Sequence, residues 1–265
     1  MKNAPGIMQQ LFEIPEYYAH LGRRGKTQTM MLGFSDGTKD GGFLMANWSI
    51  FKTKENLTAV CNQYGVNAIF FDGRGGPPAR GGGKTHRFYA AQSPRIANHE
   101  IQLTIQGQTI TSTYGTKEHF IHNCEQLLTA GLSNKYFASE NEISEISRKL
   151  LDRLSEISFR KYAELKNHKL FLPYLQYKST LRYYNQANIG SRPAKRGNDK
   201  KLEFKDLRAI PFVGSWSQLK QNIPGFFGMG TALKTLVDEG KTEQLVELFR
   251  KVPFFKALIL NSMMS

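Results

Sequence analysis

Cysteine is nearly absent from this sequence. The two residues, Cys61 and Cys124, can build neither a disulfide framework nor a CxxC metal clasp. Both stand among apolar neighbours and read as small packed hydrophobes in a reducing compartment. No apolar run approaches the roughly 20 residues that a membrane-spanning helix needs. Met1 to Gln10 lacks the apolar core of a signal peptide. A soluble, cytoplasmic protein with no membrane partner is therefore expected. No repeat of solenoid length, GxSxG elbow or Ser/His/Asp set can be assembled. The 6 histidines are scattered. His119 and His122 share a helix face but find no third metal ligand, so surface or core roles are expected for them.

Acidic residues are also scarce: 22 Asp and Glu face 36 Lys and Arg, for a net charge of +14. Such an excess attracts anions at long range. Basic runs never exceed pairs such as Lys195-Arg196 and Lys200-Lys201. Aromatics do not interleave with them as single-strand binding requires. A small, multiply charged anion fits better than nucleic acid, with a polyanion-binding module as the rival that charge alone supports.

What is present is enough for a core. Of the 265 residues, 40% are hydrophobic and 12% aromatic, which excludes a disordered chain. An amphipathic stretch, Ile7 to Leu21, precedes a strand, Thr29 to Phe34, which ends in a polar turn, Ser35 to Asp40. Helical spacing follows from Gly42 to Tyr64. A second strand, Val66 to Phe71, runs into a glycine-rich loop. Ile101 to Thr113 alternates as a strand or hairpin around Gly107. Ser139 and Glu142 form a capping-box pattern, and Ile143, Ile146, Leu150, Leu151, Leu154 and Ile157 predict one apolar helix face. A basic loop, Ser191 to Lys205, leads to an apolar strand, Leu207 to Val213. Helices are expected near Thr231 to Glu239 and Thr242 to Lys251. The tail from Phe254 to Met264 is apolar enough to need a partner from outside the chain.

Three segments carry chemistry. Phe71-Asp-Gly-Arg-Gly-Gly-Pro-Pro-Ala-Arg-Gly-Gly-Gly-Lys84 packs six glycines (Gly73, Gly75, Gly76, Gly81, Gly82 and Gly83) and two arginines into fourteen residues. Glycine lets backbone approach an anion, and Arg74 and Arg80 can grip phosphate or carboxylate bidentately. Pro78 breaks both the Walker pattern and the dinucleotide pattern, so Gly83-Lys84-Thr85 is a decoy. The plainer reading is a solvated basic loop. Gly33-Phe-Ser-Asp36-Gly-Thr-Lys39-Asp40 places a carboxylate and a lysine at a strand end, where they can hold a hard cation beside an anionic substrate; taken alone it also reads as a turn and helix cap. Gly190-Ser-Arg192-Pro-Ala-Lys-Arg196 and Leu207-Arg208-Ala-Ile-Pro211 add cations. Arg208 stands inside an apolar run, where an unpaired charge is costly, so it should meet an anion.

Together and in this order, these segments resemble phosphoenolpyruvate carboxylase: its G-Y-S-D-S-x-K-D turn, its G-R-G-G-x-x-x-R-G-G-G loop, and its G-S-R-P-x-K-R and L-R-A-I-P-W blocks. Gly228 to Leu233 and Pro253-Phe-Phe255 also fit, so the likeness runs over nearly the whole chain. The resemblance implies an α/β fold: a single segment, residues 1–265, of a (β/α)8 TIM-type barrel with many additional helices. It implies formation of oxaloacetate and phosphate from phosphoenolpyruvate and bicarbonate, through carboxyphosphate and an enolate, with Mg²⁺ or Mn²⁺. Asp36 would be a metal ligand. Arg74, Arg192 and Arg208 would hold the substrate and stabilise the enolate, and Lys39 would help place substrate or bicarbonate. Arg80 would belong to a mobile loop that also serves inhibition by aspartate or malate. Family members are usually homotetramers. The resemblance further implies that a catalytic histidine and a second metal-binding glutamate fall before Met1 and inhibitor-binding residues after Ser265, so that these residues alone are expected to be inactive. A degenerate regulatory relative is the second rival. Asp72 stands where the family often has histidine, and is expected to weaken the local positive field; Lys84 and Phe212 replace a proline and a tryptophan.

Overall fold

The computed structural model describes residues 1–77, 80–105, 108–137, 142–183, 203–219, 221 and 223–263. Two short helices, α1 (Ala4–Phe12) and α2 (Pro15–Arg23), begin the chain, each with proline in its first turn. Strand β1 (Thr27–Gly33) leads into α3 (Phe34–Gly41) and α4 (Phe43–Gln63), and the chain returns as β2 (Asn67–Gly73). β1 and β2 are parallel, with Leu32 opposite Asp72 and Gly33 opposite Gly73. After α5 (Thr85–Ala90), β3 (Ile101–Leu103) adds to the other side of β2, again parallel. Parallel neighbours need crossovers of this kind. All three strands therefore end on one side, where α/β folds collect their ligand-binding groups.

The remaining elements are helices: α6 (Gln108–Tyr114), α7 (Lys117–Phe137), α8 (Glu145–Lys166), α9 (Phe171–Lys178), α10 (Ala209–Gln218), α11 (Ile223–Phe226), α12 (Met229–Asp238), α13 (Thr242–Lys251) and α14 (Pro253–Ser262). The fold is thus helix-rich α/β around a small parallel sheet; among the described residues a barrel is not seen. Four strands were expected and three are present among those residues.

α4 is the axis of the packing. Leu44, Trp48, Phe51, Leu57 and Cys61 enter the main core, while Lys54 and Glu55 are also buried and must find partners. Arg148 of α8 meets Glu55 with two hydrogen bonds of 2.7 Å. Asp152, one turn on, accepts from the Trp48 indole at 2.6 Å. A second apolar cluster gathers Phe171, Leu175, Leu181, Phe212 and Trp216.

Several expectations are corrected. Ser35 to Asp40 is not an open turn but lies in α3, because Phe34 and Thr38, four apart on one helix face, are both buried. α3 ends at Gly42, whose φ of 77° and close approach to the Tyr162 ring both favour glycine. Leu207 to Val213 is not a strand. Ala209, Phe212, Val213 and Trp216 are buried in α10 at a spacing of three and four that Trp216 completes, with Pro211 and Ser215 buried beside them. The expected hairpin after Ile101 is β3 followed by α6. Ser139 lies outside the described residues; the observed cap of α8 is Ser144, whose side chain accepts from Ser147 N. Ile146 is 79% exposed and leaves the predicted apolar face. The tail from Phe254 finds its partner within the chain, since Phe254, Phe255 and Leu258 of α14 join the main core.

Candidate active site

The segment after β2 is not a solvated loop. Gly75 N donates to Arg80 O at 2.8 Å, Gly82 N to Pro77 O at 2.9 Å and Gly83 N to Gly76 O at 3.1 Å, so the backbone closes on itself. Arg74 fastens it from inside: Nε donates to Gly81 O at 2.6 Å and Nη2 to Gly82 O at 3.1 Å. Gly81 has φ of 78°, and a Cβ there would stand 2.6 Å from the Phe34 side chain. The loop therefore lies against the first residue of α3. Arg80 Nε reaches Ser35 Oγ at 3.2 Å across the same seam. The ends of β1 and β2 are thus joined into one surface carrying Asp36, Arg74 and Arg80.

Arg74 is only 4% exposed. Its guanidinium carbon lies 3.9 Å from the Phe88 ring centroid. Burial works to lower its pKa, and the neighbouring Tyr89 and Asp72 oppose that. One nitrogen, Nη1, is buried without a hydrogen-bond partner. Such a donor is costly to leave unmet, and it belongs to a residue that lines a cavity of about 520 Å³. That cavity lies between the glycine loop, the end of β3, and helices α6 and α7. Gly75, Gly76, Gly83 and Lys84 form its loop side. Sequence reasoning missed the opposite wall, where Thr109, Ser112, Thr113, Tyr114 and His122 supply hydroxyls and an imidazole. The misread hairpin concealed most of them. His122, expected in a surface or core role, is a lining residue. No Asp or Glu is among the described residues that line the cavity. His86, also lining it, has its pKa lowered by burial and by Arg87, Lys84 and His122, which favours the neutral imidazole in the empty cavity.

The other predicted residues stand elsewhere on the surface or outside the described residues. Lys39 is 5% exposed, pairs with Asp40 at 2.7 Å and lies over the Phe204 ring at 4.7 Å. That contact brings it to the segment leading into Arg208, and α10 packs against α3. Arg208 is the half-buried residue before α10, not a strand residue, and its Nε is buried without a partner. Arg192 lies outside the described residues. Asp36 is exposed in the first turn of α3 and makes no ion pair among the described residues. As a free carboxylate it fits one ligand position of a hard cation, which takes one or two carboxylates and fills the rest with water and substrate oxygens. No group of three His, Cys, Asp or Glu gathers among the described residues, so Asp36 is a single point of attachment, not a complete site.

Asp72 is fully buried, and Lys54 Nζ donates to its Oδ2 at 2.7 Å, so the two charges offset each other locally.

Comparison with known proteins identifies the family. The phosphoenolpyruvate carboxylase family model matches residues 1–265. Phosphoenolpyruvate carboxylase of Mycobacterium leprae is 34% identical over 269 aligned residues, covering 98% of this chain and 29% of that protein. Those of Corynebacterium glutamicum and Nitrosomonas eutropha are each 36% identical, covering 97% and 98% of this chain and 28% and 29% of the relative. The chain spans somewhat over a quarter of the length of the curated relatives it matches. Matched along its whole length, the chain belongs to the phosphoenolpyruvate carboxylase family.

Proposed function

We propose that these residues form the substrate-gripping part of a phosphoenolpyruvate carboxylase, within the barrel region of the enzyme, and that the longer protein makes oxaloacetate and phosphate from phosphoenolpyruvate and bicarbonate. The observation that carries this reading is a cavity lined by Arg74, Lys84 and several hydroxyls, with no carboxylate among its described lining residues. Arg74 is held by two backbone carbonyls before any ligand arrives, so its guanidinium is already placed at the cavity wall. Preorganised donors facing oxygen atoms that gain charge lower the barrier, and removing one typically costs about 10²- to 10³-fold in rate. Here the charge would develop on the phosphoryl group transferred to bicarbonate and on the enolate left behind. The hydroxyls of the opposite wall can each donate to an anion's oxygens, which suits phosphate and carboxylate. Arg208 and Lys39 would add to the grip from the α10 side, and Arg192, which lies outside the described residues, would join it as the resemblance implies. A divalent cation at Asp36, when bound, would draw electron density from the same oxygens.

The test is thermal unfolding of the purified chain with phosphoenolpyruvate and Mg²⁺, beside Arg74→Ala and beside sulfate as a general anion. A ligand at a hundred times its Kd adds about 2.7 kcal/mol, a rise of roughly 5–10 °C for a chain of this size. A rise in the parent, smaller with sulfate and lost in the variant, supports the reading. Equal rises with every anion, or a rise that survives Arg74→Ala, sink it.

A further inference from the structure

Beneath the glycine loop lies a buried polar cluster that the substrate grip does not itself use. Asp72 and Arg74 are two residues apart and so lie on the same side of the chain as β2 ends. Asp72 Oδ2 accepts from Lys54 Nζ at 2.7 Å and from the Tyr89 hydroxyl at 2.8 Å. Lys54 comes from the middle of α4 and is 2% exposed. Its ammonium lies 5.8 Å from the centroids of both Phe88 and Tyr89. The Arg74 guanidinium lies against the same two rings, at 3.9 and 5.8 Å. The Phe88–Tyr89 pair of α5 is therefore held among two cations and one carboxylate, and the two rings meet edge to face at 5.3 Å.

We propose that Asp72, Lys54 and Tyr89 are positioning residues for Arg74: the Lys54–Asp72 ion pair locks the Tyr89 hydroxyl, which fixes the Phe88–Tyr89 platform on which the guanidinium rests. The geometry gives each member a distinct part. Arg74 uses Nε and Nη2 on the Gly81 and Gly82 carbonyls; the aromatic platform sets the plane in which the guanidinium lies at the cavity wall. Asp72 reaches Tyr89, Tyr89 borders Arg74, and Lys54 holds the carboxylate in place where water cannot. A buried pair serving stability alone would need no tyrosine, and apolar residues of similar volume could replace it at little cost. The consequence for ligand rests on the functional reading above; the positional part does not.

The experiment compares the double variant Lys54→Met/Asp72→Leu with Tyr89→Phe, which keeps both rings and removes only the locking oxygen, and which carries the test if the double variant fails to fold. Two readouts are taken: solvent exchange of the Arg74 Nε–H by nitrogen-15 NMR, and phosphoenolpyruvate affinity by titration. Arg148→Met, which breaks the Glu55 pair elsewhere on α4, controls for lost stability. The expected result is exchange at least tenfold faster and affinity about tenfold weaker in both test variants, with neither changed in Arg148→Met. Unchanged exchange in a folded test variant, or equal acceleration in Arg148→Met, overturns the proposal. Faster exchange in the test variants of a parent that itself shows no phosphoenolpyruvate binding upholds the positioning and overturns the functional reading instead.

Discussion

Phe254→Ala tests whether the chain covers its own apolar C-terminal helix. Phe254 is 2% exposed, with its ring 4.3 Å from Phe51 and 5.9 Å from Trp48, both on α4. Truncation removes the transfer energy of a buried aromatic and leaves a cavity, together about 3–5 kcal/mol. Part of that figure is the ring pairing, which contributes about 0.5–1.5 kcal/mol beyond area. Neighbours can relax little, because Phe51 and Trp48 are themselves locked at 5.5 Å from each other. The loss should therefore be about 4 kcal/mol, a large share of the roughly 5–15 kcal/mol that holds a domain together. Urea unfolding followed by tryptophan fluorescence measures it, with half-exposed Val246→Ala on α13 as a surface control. The midpoint should fall sharply in Phe254→Ala at an unchanged slope. A loss below about 1 kcal/mol, within the range of surface substitutions, would mean that α14 does not dock on α4 and that the burial argument fails.

Two further outcomes follow from buried groups. Arg148→Ala strands the Glu55 carboxylate, whose side chain is 8% exposed, and should cost about 3–5 kcal/mol by equilibrium unfolding; Glu55→Gln in the same background should recover part of it. Burial pushes the Cys61 thiol from 9.0 up to about 11. Its contribution is fully present below the unfolded value and is lost as pH rises through the folded one, so the stability gap between the parent and Cys61→Ala should narrow by about 1–2 kcal/mol from pH 9 to 11. A constant gap would contradict it. Native-state thiol labelling should reach half-buried Cys124 well before Cys61.

The glycine loop was legible because its composition is so costly elsewhere: six glycines framed by a strand have few uses besides close backbone approach, and Arg74 and Gly81 show that use directly. α4 was legible because Leu44, Trp48, Phe51 and Leu57 keep helical spacing. α3 was not, because what makes Ser35 to Asp40 helical is the burial of Phe34 and Thr38 under other elements, a tertiary effect that overrides polar composition. α10 was misread because a window closing at Val213 omits Trp216, the position that separates period two from period three and four. α7 was missed because its apolar residues surround the helix: Phe120, Leu128 and Leu132 are exposed while Ala130 is buried. The Lys54–Asp72 pair joins residues 18 apart; a helix lysine reads as solvated until the fold places a carboxylate beneath it.

The parallel sheet has two outer margins, and β1 forms one of them. Its sequence, Thr27-Gln-Thr-Met-Met-Leu-Gly33, contains neither charge nor proline, the two devices that most often discourage a stranger from adding to an edge. Met31 projects from it into solvent. Among the described residues no strand caps this margin. In this chain by itself the margin is a short adhesive template, to which the edge of a second copy can add. Lowering expression temperature and concentration should relieve aggregation more than adding substrate does, and a lysine at Met31 should relieve it most.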